Sequence, residues 1–160
     1  MSSNRYLIRG VLVVVCLALI TGIFFGARAI VINIKKSSDL AKVVKEYPNA
    51  IVTPSGLRYI VLEEGTGPKP IAGRPVRVNY IGTLLNGKEF ENTYTQGSPL
   101  EFNAGSNQAI KGFDEAVMDM REGEKRLVII PPELGYGSQS KGAVPANSFI
   151  IFELQLYRVR

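Results

Sequence analysis

The stretch from Val76 to Leu85 constrains this chain more than any other. Val76, Val78, Tyr80 and Leu84 share one side of it with Gly82, while Arg77, Asn79 and Thr83 share the other. Apolar residues at a period of two mark a strand with one buried face. Asn86-Gly87 follows at once, a dipeptide that readily takes the positive backbone angles of a tight hairpin turn. Glu89-Phe90-Glu91 then begins the return strand. A strand this long needs pairing partners and a cover for its apolar face, so the rest of the chain has to supply a sheet and something to pack on it.

Both are present. Leu57 to Glu63, Leu100 to Phe102, Lys125 to Ile130 and Phe149 to Val159 also read as strands. In the last of these, Ile150, Phe152, Leu154 and Leu156 point to one side. One segment has helical spacing instead: Ile110, Phe113, Val117 and Met120 recur at i, i+3, i+7 and i+10, Lys111, Asp114, Glu115 and Asp119 face the other way, and Gly123 is a natural stop. The expectation is an α+β fold, one short helix on a mostly antiparallel sheet. There is no βαβ repetition, which argues against a parallel nucleotide-binding sheet.

Composition narrows the chemistry. The chain has no histidine, and its one cysteine, Cys16, lies in an apolar run. That removes Ser-His-Asp and Cys-His catalysis, zinc sites built on His or Cys, and an intrachain disulfide. No metal and no cofactor is expected. The net charge of +5 is unevenly placed. Residues 1–50 hold seven Lys/Arg against two Asp/Glu, whereas 51–160 hold twelve of each. The basic excess therefore belongs to the N-terminal third, no basic stripe is interleaved with aromatics, and a nucleic-acid partner is not expected.

Gly10 to Ala27 is eighteen residues without a charge, flanked by Arg5 and Arg9 before and by Arg28, Lys35 and Lys36 after. A membrane-spanning helix needs roughly 17–25 such residues. The run reads as a retained signal anchor. The alternative is a cleaved signal peptide, with Ala27-Arg28-Ala29 as the small-x-small cleavage site. The organisation expected is a signal anchor or signal peptide over 1–29, a stalk over 30–52, and a folded domain over 53–160. On the first reading the protein is single-pass, with its C-terminal domain in an exported compartment. On the second it is secreted.

Gly65-Thr66-Gly67 and Gly135-Tyr136-Gly137 lack the Gly-Lys-Ser/Thr of a phosphate loop and read as turns. The carboxylates Asp114/Glu115 and Glu122/Glu124 read as solvated charges on and after the helix. The aromatics stand out more. Tyr80, Phe90, Phe102, Phe113, Tyr136 and Phe152 fall on nearly every expected element, and a tyrosine hydroxyl among apolar groups needs a partner.

Seven blocks carry a resemblance. Val78-Asn79-Tyr80-Ile81-Gly82, Asn86-Gly87-Lys88-Glu89-Phe90-Glu91, Pro99-Leu100-Glu101-Phe102, Ala109-Ile110-Lys111-Gly112-Phe113, Leu134-Gly135-Tyr136-Gly137, Val144-Pro145-Ala146 and Phe149 to Leu154 together resemble the FKBP-type peptidyl-prolyl isomerases, in family order over essentially all of Ser55–Arg160. The resemblance implies an antiparallel half-barrel wrapped around one helix, here preceded by an N-terminal hydrophobic helix, with a shallow pocket for a proline ring. It implies catalytic roles for Tyr80, Phe90, Glu91, Phe113, Tyr136 and Phe152, and substrate contacts from Leu100, Ala109, Ile110 and Val144. Phe113 would be the floor, and the Ile110 amide and Tyr136 hydroxyl would bind carbonyls. Asn79, Glu91, Leu100 and Ala109 depart from the residues most members carry there. The implied partners are proline-containing polypeptides and macrolide inhibitors; the uncharged run over residues 10–27 adds a membrane. The implied activity is isomerisation of X-Pro bonds in exported or membrane-proximal clients; a non-catalytic proline-binding chaperone of the same fold is the alternative.

Overall fold

The computed structural model describes residues 28–160. The apolar run 10–27, read above as an anchor or signal peptide, lies outside the described residues. The chain divides into two compact units, Met1–Ser38 and Asp39–Arg160. In the first, residues 28–38 are helical and expose Ile30, Val31 and Ile34. Among the described residues no helix is long and apolar enough to cross a membrane.

The second unit opens with helical residues 39–46, here α1. It continues through β1 (Ile51–Val52), β2 (Arg58–Glu63), β3 (Pro75–Leu84), β4 (Glu89–Asn92), α2 (Thr93–Gln96), β5 (Leu100–Asn103), α3 (Lys111–Asp119), β6 (Lys125–Ile130), a 3-10 turn (Pro132–Leu134) and β7 (Ile150–Val159). One antiparallel sheet holds all seven strands in the order β1-β2-β6-β7-β3-β4, with β5 also on β3. β3 is its hub. One edge pairs with β7 from Val76 to Leu84; the other is shared by β5, opposite Pro75–Val78, and β4, opposite Ile81–Thr83. Register shifts at Arg77/Val78 and Gly82/Thr83 break the ladders on β3, and irregularities of this kind increase a sheet's twist.

The alternation read in the sequence holds along β3, where every second residue from Val76 to Leu84 is buried. On that face α3 contributes Phe113, Ala116 and Val117, followed by Met120, to a core shared with Val78, Tyr80, Val128, Phe152 and Leu154. Side chains one position along each strand face the other way. Ile129 and Ile151 are such residues, and they form a second cluster with Phe149 and the fully buried Val43 of α1, flanked by Leu40 and Tyr47.

Three expectations need correction. The stretch read as part of a stalk, from residue 39 to 52, belongs to the compact unit: α1 covers the sheet's second face and β1 extends its edge. The helix α3 is not alone, since α2 makes one turn capped by Asn92, whose side chain accepts hydrogen bonds from the Tyr94 and Thr95 amides. The carboxylates read as solvated are not all so. Glu124 is buried with Arg126, whose Nε donates to Glu124 Oε1 at 2.6 Å while its guanidinium stacks 4.1 Å from the Tyr59 ring centre. Glu122 accepts the Val159 amide at 2.7 Å. Glu115 accepts hydrogen bonds from Thr53 and Ser55. Asp114 is buried as well.

Candidate active site

Three rings form the base of a pocket. Tyr80 projects from β3, Phe113 from the first turn of α3 and Phe152 from β7. Their centres are 5.3 Å apart for Tyr80–Phe113, 5.4 Å for Tyr80–Phe152 and 5.3 Å for Phe113–Phe152, with ring planes crossed by 79°, 83° and 89°. Edge-to-face packing of this kind brings the positive edge of each ring to the negative face of the next. The three side chains lock one another's rotamers and leave a stiff apolar base.

Around that base lies a cavity of about 250 Å³, lined by Tyr80, Glu91, Leu100, Gln108, Ala109, Ile110, Phe113, Tyr136 and Phe152. Eight of these nine were singled out in the sequence. Gln108 was missed; its side-chain Oε1 accepts the Asn103 backbone N–H at 2.8 Å, which ties the β5–α3 loop to the end of β5. Its place directly before Ala109-Ile110 was the one available signal. Phe90 and Val144, expected at the pocket, do not line it. Phe90 packs edge-on against Phe152 at 5.7 Å and supports that ring. Val144 is buried in the core behind the site, at the end of a tight turn in which it exchanges two backbone hydrogen bonds with Lys141.

Local backbone chemistry fixes these groups. The buried Thr93 hydroxyl accepts the Tyr80 amide at 2.8 Å, tying α2 to β3 at the residue that carries the pocket tyrosine. Ile110 caps α3: its carbonyl accepts the amides of Phe113 and Asp114, both at 3.0 Å. Its own amide has no hydrogen-bond acceptor among the described residues, and Ile110 lines the cavity.

The polar groups of the cavity are few. Burial pushes the Tyr80 hydroxyl's pKa up, with the Glu91 carboxylate beside it adding to the shift. Burial and then Glu91 push Tyr136 up too. Both phenols therefore stay protonated and able to donate hydrogen bonds. Among the described residues no cluster of His, Cys, Asp and Glu could hold a metal ion.

An aromatic pocket on a curled antiparallel sheet, closed by one helix, is the arrangement of a known enzyme class. A family model described as FKBP-type peptidyl-prolyl cis-trans isomerase matches residues 67–157, and the chain belongs to that family. It is 47% identical over 89 residues to the FK506-binding protein 2 of Dictyostelium discoideum, covering 55% of this chain and 67% of that protein. It is 42% identical over 106 residues to the isomerase FkpA of Escherichia coli, covering 66% of this chain and 38% of the relative. The crystal structure of AtFKBP13 superposes with a TM-score of 0.68 at 33% identity, covering 70% of this chain and 99% of that one. That of Escherichia coli FkpA gives 0.69 at 30% identity over 98% of this chain and 72% of the other.

Proposed function

We propose that the pocket binds the ring of a proline in a polypeptide and accelerates rotation about the preceding peptide bond. The observation that carries this reading is the crossed triad of Tyr80, Phe113 and Phe152 in a cavity lined also by Ile110, whose amide has no acceptor among the described residues, and by Tyr136. Resonance gives the peptide bond a rotational barrier of roughly 18–20 kcal/mol. Uncatalysed X-Pro exchange takes tens to hundreds of seconds. No bond breaks and no proton has to move, so a catalyst need only bind the twisted amide better than either planar form. The planar amide separates charge between oxygen and nitrogen, which an apolar base disfavours; the twisted amide keeps its lone pair on nitrogen. Ile110 N–H and Tyr136 O–H hold the neighbouring carbonyls while the bond turns.

The same cavity is the site for macrolides of the FK506 type, for which several relatives are named. The clients are exported or membrane-proximal chains. The support for this is the uncharged run Gly10–Ala27 with arginines on both flanks, which either anchors the protein or directs its export.

The test is relaxation of a short X-Pro peptide from its cis-enriched state, with and without the protein. Acceleration that a macrolide abolishes supports the assignment. Binding of the peptide without acceleration sinks it in favour of a proline-binding chaperone of the same fold.

A further inference from the structure

Asp114 directly follows the pocket floor, Phe113, and is only 6% exposed. No Lys or Arg pairs with it among the described residues. Its partners are backbone amides of the β5–α3 loop: Gly105 N–H donates to Oδ1 at 2.7 Å and Asn107 N–H to Oδ2 at 3.2 Å. Both donors sit in left-handed backbone, with φ of 71° at Gly105 and 57° at Asn107. That conformation is costly for a side-chain-bearing residue and persists only where its surroundings hold it. The loop then delivers Gln108, Ala109 and Ile110 to the cavity wall. One carboxylate thus links the helix that carries the floor to the loop that carries the wall.

We infer that Asp114 is a positioning residue for the isomerase reaction: its two oxygens hold the Gly105–Asn107 turn against α3 and so set the Ile110 amide and the Gln108–Ala109 wall over Phe113. The inference rests on the function proposed above. A carboxylate is required because both partners are donors. An asparagine offers one acceptor and turns an NH2 group toward the other N–H, so one of the two ties is lost and its amide is left buried without a partner.

The experiment compares the full chain with D114N, D114E and V43A. Val43 lies in the cluster on the other face of the sheet and serves as a destabilised control remote from the pocket. Three quantities are read at a temperature where each variant is folded: kcat/KM on an X-Pro peptide, its split into kcat and KM, and the amide NMR signals of Gln108 and Ile110. D114N is expected to lose about tenfold or more in kcat/KM, since small displacements of binding groups cost rate steeply, and to move both amide signals. V43A is expected to stay within about twofold of the parent whatever its Tm, because its effect is on stability alone. Should D114N fail to fold, D114E decides: it keeps both acceptors one methylene further out, and it is expected to shift the Ile110 signal with a smaller loss. The inference is overturned if D114N, or D114E in its place, leaves the two amides and kcat/KM at parent values, or loses no more activity than V43A. If the parent chain itself does not accelerate the peptide, the isomerase reading fails, and the amide signals alone then decide whether Asp114 sets the wall.

Discussion

Gly82 shows how closely the site depends on single atoms. A Cβ built there would lie 2.8 Å from Phe90 Cζ and 2.9 Å from Phe152 Cε1, closer than carbon atoms can sit. Its φ is not the reason for the glycine; the two rings closing over β3 are. G82A is therefore expected to destabilise the protein by about 1–3 kcal/mol through overpacking. It should lower kcat/KM further than that loss explains, because Phe152 is a member of the ring triad. Thermal unfolding and peptide kinetics on the same sample separate the two effects. Tyr136 gives the opposite case, a change of one oxygen. On the function proposed above, Y136F removes one hydrogen bond to the substrate, worth about 0.5–1.5 kcal/mol, and should lower kcat/KM about 2–10-fold with little change in Tm. The pH profile follows from the same residues. Neither His nor Cys contributes, and burial moves both pocket phenols upward, away from neutrality. Turnover is expected to stay level from about pH 5 to 8, given the reference pKa values of the remaining side chains. A titration step near pH 6.5 in kcat/KM would contradict this.

Among the elements, β6 carries the most exposed liability. Its Arg126 is buried against Glu124, which sits just before the strand and also accepts the Arg121 amide at 2.9 Å. Arg126 Nη1 also donates to the exposed Asp119 carboxylate at 3.1 Å, so the loss of the Glu124 charge leaves the guanidinium one ion partner. E124Q is expected to cost about 1–3 kcal/mol, and replacing both partners by apolar residues of similar volume should cost less. Denaturant unfolding of the single and double variants checks the difference. These elements also show what the sequence could tell. β3 and β7 were legible because alternation is a local signal, and α3 because Phe113, Val117 and Met120 recur at helical spacing. The burial of Asp114 was not legible: its partners are backbone amides seven and nine residues earlier, and nothing in the side-chain pattern marks them. Glu124 and Arg126 stand two apart and so face the same side, which is the sequence signal of their pairing. The pocket was legible mainly through the ordered family blocks. The two residues it misplaced, Phe90 and Val144, support the lining from behind, a distinction of a few ångströms that sequence does not encode.

At the scale of the whole chain, the second compact unit begins at Asp39, ahead of the Pro48 to Gly56 stretch that punctuates the sequence. Leu40, Val43 and Tyr47 cover Ile129, Phe149 and Ile151 on the second face of the sheet. Compared with a fragment beginning at Asp39, one beginning at Thr53 loses β1 and that cover. It should be several degrees less stable, since about 1 kcal/mol shifts Tm by roughly 4–8 °C in a domain near this size, and it should expose an apolar face that favours aggregation.

The hub strand has a further consequence, one of timing. β3 finds its principal partner, β7, about seventy residues later, and β7 is last of the strands in chain order while lying between β3 and β6 in the sheet. Pairings so distant in sequence slow folding. While the polypeptide is still being made, the centre of its sheet is a gap and Phe152 has not yet arrived, so the ring triad of this isomerase-family chain is assembled only when β7 slots into the middle of the sheet.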